Sequence, residues 1–453
     1  MSRSVTIEPS VAACTSAPDR RRVIVGGAAA VLGVGGARAA DDPLQAAARE
    51  TWLYGLPLIE MAAQRSSAAR RKLLNAYGHR RGLLGPKDRA VTAPNNDTLF
   101  SSSFLDLRQG PLRLHIPATE GRYLSLALMD MFTNNFAVLG PRAARAGATT
   151  VTLAGPRGRA PRGAIRAPTP WVWALARTLV DSEADLAAAH AVQDALRIEG
   201  QQPSAPVDHP GRSADWRAYF AAVQALLDEN PPPRADRPFF RRVAALGVGP
   251  GRRFDPGRFD AAQIRAIEAG VAEARLVVLR SFRSRIVDSW SYPDARLGNF
   301  GTDYAFRANV ALTGLAALPP REAIYMQAVD ARGSEVLDLP GPLLLRFPPG
   351  RLPPVGAFWS LTMYEVTPEG QYFLTPNPLD RYSIGDRTPG LVVDTDGSLE
   401  IWIGRSPPPP GRRTNWLPAP ASGPCRLSFR AYQPRPALLT GDYRLPPLVP
   451  APA

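Results

Sequence analysis

Two groups of polar residues have types and spacing that could do chemistry. In the first, Asn96 and Asp97 stand together, and Asp106, Asp130, Asn134 and Asn135 follow in the same half of the chain. A pair of carboxylates such as Asp97 and Asp130 can serve as general acid and base in hydrolysis when their surroundings separate their pKa values. Oxygen donors of this kind also suit a hard cation such as calcium. Asn and Asp are equally the residues of tight turns, where their side chains bond to their own backbone, and Asn95-Asn96-Asp97-Thr98 reads as such a turn without any ligand. In the second group, Trp359, Tyr364, Asn377, Arg381, Tyr382, Asp386, Asn415 and Trp416 mix aromatic faces with polar groups. That mixture suits a sugar, whose C–H face stacks on a ring while its hydroxyls bond to Asn, Asp and Arg. The competing reading puts Trp359 and Trp416 in the core and makes Arg381 and Asp386 a structural pair across a turn.

Other chemistries find no support. His79, His115, His190 and His209 are far apart, and no HxH, HExxH or CxxC spacing occurs, so no zinc or copper site is expected and none is assigned, while a hard cation such as calcium stays open. Phosphate-cradling glycine motifs and a GxSxG elbow are absent, and no cofactor is implied. Asp394-Thr395-Asp396-Gly397-Ser398 with Glu400 lacks the ligand spacing of a calcium loop and reads as a hairpin turning at Asp396-Gly397. Cys425 follows an alternating pattern that buries it in a strand as a small apolar residue.

The elements that must position these groups change along the chain. Leu44, Ala48, Trp52, Leu56 and Ile59 have helical spacing, with Gly55 and Pro57 expected to break the second half. From 90 to 166, short β-type runs such as Leu112–Ile116, Tyr123–Leu128 and Thr149–Leu153 alternate with Gly/Pro turns. The stretch from 181 to 282 is helical, with Ser182 and Asp185 as a capping box, Ser213 ahead of the Trp216, Phe220, Val223 and Leu227 stripe, and Asp260 capping a further run. Strand texture returns from 323 to 432, at Leu343–Phe347, Ala357–Tyr364, Leu391–Val393, Leu399–Ile403 and Arg426–Tyr432. The Pro-rich end after Gln433 is expected to form an extended strap or to be partly disordered.

The formal charge is +14, carried almost wholly by arginine, since Lys72 and Lys87 are the only lysines. Arginine pairs such as Arg241-Arg242 and Arg252-Arg253 are short and lack interleaved stacking aromatics, which excludes a nucleic-acid groove and reads first as solvated surface, with a weak attraction to acidic lipid or polysaccharide as the second reading. Asp19-Arg20-Arg21-Arg22-Val23-Ile24, the apolar Val23 to Gly36 run and Ala37-Arg38-Ala39 form the n, h and c regions of a twin-arginine export signal. The apolar run is too short to span a bilayer, so residues 1–39 are expected to be removed and the mature chain to lie in the periplasm or outside the cell, with no membrane span.

Six segments taken together resemble the paired families of domains of unknown function 1254 and 1214. They are Tyr54-Gly55-Leu56-Pro57, Pro94 to Ser101 and Gly121-Arg122-Tyr123-Leu124-Ser125 in the first half, then Phe358 to Tyr364, Asn377-Pro378 with Arg381 to Asp386, and Asn415 to Pro420. Departures occur at Leu56, Phe100 and Glu365, where the family often has another aromatic, Tyr and Asp. The resemblance implies no established activity. It implies two antiparallel, jelly-roll-like β-sandwich domains joined by helices, which agrees with the mainly β, α+β texture read from the residues. The expected organisation is 1–39 signal, 40–175 first domain, 176–300 helical connection, 301–435 second domain and 436–453 Pro-rich tail.

The leading expectation is recognition, extending to hydrolysis, of a carbohydrate-like or polyhydroxylated ligand. Its rival is a non-catalytic structural or assembly protein of the cell envelope. Convergence of the polar groups in one open cleft favours the first, and burial against one another favours the second. The sequence leaves oligomeric state open.

Overall fold

The computed structural model describes residues 42–90, 92–140 and 147–452, so the twin-arginine pattern at 20–39 lies outside the described residues. The first element is the helix Pro43–Arg70, started by the Asp42 carboxylate, which accepts the Leu44 and Gln45 N–H groups at 2.7 and 3.3 Å. Pro57 does not break it: residues 51–62 are all buried, and packing on every side holds the helix through a position where one backbone donor is missing. Gly55 permits that packing, because a Cβ there would lie 2.4 Å from Val223 Cγ2.

The first β unit is two stacked sheets. One has the order Gly78–His79, Thr98–Asp106, Trp171–Leu179, Leu124–Met129 and Asn135–Leu139; the other runs Ile165–Arg166, Thr149–Ala154, Leu112–Ile116 and Arg197–Glu199. Strand period two sends Leu126, Leu128, Val172 and Ala174 inward to meet Leu112, Leu114 and Leu153. It sends Phe104, Trp171 and Trp173 outward, where the helices Pro43–Arg70, Trp216–Glu229 and Ala261–Leu279 cover them. These three helices therefore pack on the outer face of the first unit.

The second β unit stacks a seven-stranded sheet on a four-stranded one. The larger sheet runs Ser284–Val287, Trp290–Pro293, Ala323–Ala328, Cys425–Tyr432 and Trp359–Val366, with Tyr372–Phe373 and Ser383–Gly385 both paired to Trp359–Val366. The smaller runs Trp416–Pro418, Leu399–Gly404, Leu343–Phe347 and Leu448–Pro450. Pairing is antiparallel except for Thr149–Ala154 with Ile165–Arg166 and Leu399–Gly404 with Trp416–Pro418. The chain is thus α+β with mainly antiparallel sheets.

Strand pairing moves the expected limits. Trp171–Leu179 sits in the middle of the first large sheet and Arg197–Glu199 closes the small one, so the first unit runs past 175. The hairpin Ser284–Val287/Trp290–Pro293 joins the second unit before 301, and the Pro-rich tail supplies the edge strand Leu448–Pro450. Leu391–Val393 is not a ladder strand: only Val393 bridges to Leu399, across the turn at Asp394–Ser398 with Gly397 at φ 85. Asp215 caps Trp216–Glu229, the box expected at Ser182 does not form since Ser182 makes no cap bond, and Asp260 caps its helix as expected, in a box completed by Gln263. Cys425 is a free, buried thiol that burial pushes up to about 12.

Candidate functional site

The alternation Trp359-Ser360-Leu361-Thr362-Met363-Tyr364 turns Trp359, Leu361 and Met363 into the second core and leaves Ser360, Thr362 and Tyr364 on the opposite face. The neighbouring strand does the same with Leu427, Phe429 and Ala431 inward, and Ser428, Arg430 and Tyr432 on that opposite face. A sheet with a polar second face normally meets water. Here Ser360, Thr362, Tyr364, Arg430 and Tyr432 are all buried, because a segment of the first unit lies across them.

That segment is Thr92 to Thr98. Ala93 N–H donates to Tyr372 O at 2.8 Å, and Tyr364 Oη donates to Pro94 O at 2.8 Å. Asn95 forms the expected turn, its Oδ1 accepting Asp97 and Thr98 N–H at 2.7 and 3.1 Å, while its Nδ2 donates to Tyr432 Oη at 2.5 Å. Asp97, 8% exposed, accepts Ser360 Oγ at 2.7 Å on Oδ2 and Ser383 Oγ at 3.3 Å on Oδ1. Arg430, 5% exposed, donates to Thr362 Oγ1 and Tyr364 Oη, each at 2.6 Å. Beside this strap, Phe358 stacks on Tyr432 at 4.2 Å, Tyr123 donates to Glu322 at 2.9 Å, and ion pairs Arg387–Asp181 and Arg89–Glu365 cross the same seam.

Burial raises the Asp97 carboxyl above the ordinary range, opposed by Arg430 and the two serine hydroxyls. Asp386, exposed at the rim of this seam, accepts Trp359 N–H at 3.1 Å. Desolvation of its carboxyl is the first cause that pushes it up to about 6, with Arg387 opposing and the Asp97 charge adding to the rise. Two carboxyls of raised pKa therefore meet at the seam, one enclosed and one open to solvent.

The remaining candidates go elsewhere. Asp130 shares no partner with Asp97; its Oδ1 accepts Phe132 and Asn134 N–H, each at 2.9 Å, and burial pushes it up to about 6. Asn96 keeps a buried Oδ1 with no partner among the described residues. Asp106 is held below the ordinary range by its bonds to Arg108 and Ser204, although burial acts the other way, and Asn135 holds Gly298 O and Ala317 O. Trp359 stacks on Phe429 at 5.3 Å inside the core, and Trp416 is 1% exposed with Nε1 on Gly404 O. Arg381 and Asp386 do not pair: Arg381 donates to Thr414 O and Trp416 O at 2.7 and 2.9 Å. Asn377 closes its own turn by accepting Leu379 and Arg381 N–H, Tyr382 donates to Asp380, and Asn415 ties Val392 to Glu400 O. The carboxylates of the Asp394 loop face Arg412 and Arg346.

Sequence reasoning missed Ser360, Ser383, Asn95, Arg430 and Tyr432. The signal for four of them was present, as polar positions alternating with a core stripe or opening a turn. Their burial was not, because it depends on the first unit. Among the described residues, no group of three or more His, Cys, Asp or Glu could hold a metal ion, and no helix is long and apolar enough to cross a membrane. A cavity of ≈ 410 Å³ lined by Lys72, Leu74, Asn75 and Gln201 contains none of these groups.

Residues 74–200 match the family model described as a protein of unknown function (DUF1254), and residues 322–436 match that of DUF1214. Both matches include one side of the seam. The crystal structure of the VPA0106 protein from Vibrio parahaemolyticus is similar over 90% of this chain and 100% of its own, at 23% identity and a TM-score of 0.67, which shows a shared fold. That of an uncharacterized protein from Burkholderia cenocepacia matches at 14% identity and a TM-score of 0.41, over 87% and 88% of the two chains. No curated protein matches the chain.

Proposed function

We propose that this chain, which belongs to the family pairing DUF1254 with DUF1214 domains, is an exported, non-catalytic structural or assembly protein of the cell envelope whose two units work as one rigid body. The observation that carries the reading is the Asp97 carboxylate, enclosed at the seam and occupied on both oxygens by hydroxyls of the other unit. A catalytic carboxylate must reach a substrate, whereas this one holds two domains together. Of the four aromatic candidates for stacking a sugar, Trp359, Tyr364 and Trp416 are buried in packing and Tyr382 alone is partly exposed. Export is supported by the twin-arginine pattern at 20–39.

One observation favours the second reading, binding and hydrolysis of a polyhydroxylated ligand: Asp386 is exposed, and desolvation pushes its carboxyl up to about 6, with the Asp97 charge adding to the rise. Complementation separates the two. In a deletion strain of the producing bacterium scored for envelope permeability, Asp386→Asn restores the wild-type barrier if the role is structural, and Asp97→Ala does not. An Asp386→Asn protein that folds with an unchanged melting temperature yet fails to complement overturns the structural reading in favour of the chemical one.

A further inference from the structure

We propose that the protein docks on an anionic phospholipid bilayer through a patch formed by the end of the helix Ala261–Leu279 and the edge strand Ser284–Val287. Leu276, Leu279, Phe282 and Ile286 are 63, 52, 42 and 52% exposed. Single exposed apolar side chains are ordinary, but four large ones within eleven residues are not. Leu276 and Leu279 lie off the buried stripe of the helix, which is Ile267, Gly270, Val271, Ala274 and Val278. Phe282 is backed edge-on by Phe306 at 5.7 Å, so it projects from a rigid base.

The charge of the same segment selects the occupant. Residues 275–287 contain Arg275, Arg280, Arg283 and Arg285 and no acidic residue; the one acidic neighbour in the hairpin is Asp288, exposed in the turn that follows. Arg283 reaches Asp303 at 3.4 Å, but Arg280 and Arg285 are exposed and make no ion pair among the described residues. Apolar anchors ringed by guanidinium groups fit a surface whose interior is hydrocarbon and whose rim is phosphate. A second copy of the chain fits poorly, because a two-fold contact would bring the arginines of one patch against those of the other. Protection of a sheet edge accounts for Arg283 and Arg285, yet it leaves Leu276, Leu279 and Phe282 unexplained, since they precede the strand. The inference deepens the envelope reading above by naming the surface such a protein would lie on.

The test is co-sedimentation of the full chain with vesicles of phosphatidylcholine alone or enriched in phosphatidylglycerol. Residues 1–39 are common to parent and variants, so differences among them report the patch. Binding should favour the anionic vesicles and weaken with salt. Arg280→Glu/Arg285→Glu should lower the partition by about tenfold or more with an unchanged melting temperature, and Leu279→Ser/Phe282→Ser should do the same in a protein that keeps its cooperative unfolding although Phe282 loses its contact with Phe306. Variants that sediment like the parent overturn the proposal. So does sedimentation velocity in which the apolar variant converts a dimer to a monomer while vesicle binding persists. Loss of docking beside normal complementation by Asp386→Asn leaves the structural reading standing, and the converse pattern leaves docking standing, so the two can fail separately.

Discussion

The strap Thr92–Thr98 and the loops from Asn377 to Trp416 are built from the same residue types and use the same turn chemistry. In one, Asn95 Oδ1 accepts Asp97 and Thr98 N–H; in the other, Asn377 Oδ1 accepts Leu379 and Arg381 N–H. They differ in where the remaining bonds go. Asn95 and Asp97 reach Tyr432 and Ser360, 337 and 263 residues away, whereas Asn377 reaches residues within four positions. Asn377 holds the local shape of its own loop, whereas Asn95 and Asp97 hold two units together. A motif of Asn, Asp and aromatics is thus evidence of a turn, and its partners decide whether it is also a joint.

The largest test of that contrast is Arg430→Ala. It removes a buried guanidinium from Thr362, Tyr364 and the neighbourhood of Asp97, and should cost about 3–5 kcal/mol in denaturant unfolding. A loss no greater than that of a surface arginine would mean the seam contributes little. Asp97→Ala comes next, at about 1–3 kcal/mol, because two serine hydroxyls lose their acceptor. Paired with Ser360→Ala it should be non-additive, and simple additivity would show that the bond is not shared. Asn377→Ala should cost about 0.5–1.5 kcal/mol and leave a single calorimetric transition, since its bonds are local.

The pH dependence should differ in sign between the seam, where Asp386 lies, and the turn at Asp394–Ser398. A carboxyl with a raised folded pKa binds a proton more readily in the native state, so Asp386 favours folding below its ordinary pKa, and that contribution is lost as pH rises from about 4 to about 6. Asp396 in the loop region is held low by Ser398, and its contribution is instead lost on acidification. Relative to the parent, the melting temperature of Asp386→Asn should rise as pH goes from about 4 to about 6, whereas the deficit of Asp396→Asn should close as pH falls below about 4; parallel curves would erase the distinction.

Much of the architecture was legible before any coordinates. Alternation in Trp359–Val366 and Cys425–Tyr432, helical spacing around Trp216 and the Asp260 cap are set by neighbours a few positions apart, and the order of the six family segments carried the two-unit plan. Failures came where distant packing overrode local preference. Pro57 stays inside a helix because its surroundings are buried, and the tail becomes a strand because Leu343–Leu345 offers an unpaired edge. The grouping of Asp97 with Ser360, Ser383 and Arg430, and the separation of Arg381 and Trp416 from them, belong to tertiary structure alone. A side chain's type and period state which face of a strand it takes. Whether that face meets water or another domain depends on how hundreds of intervening residues fold, and burial is what turns a solvated polar stripe into a joint.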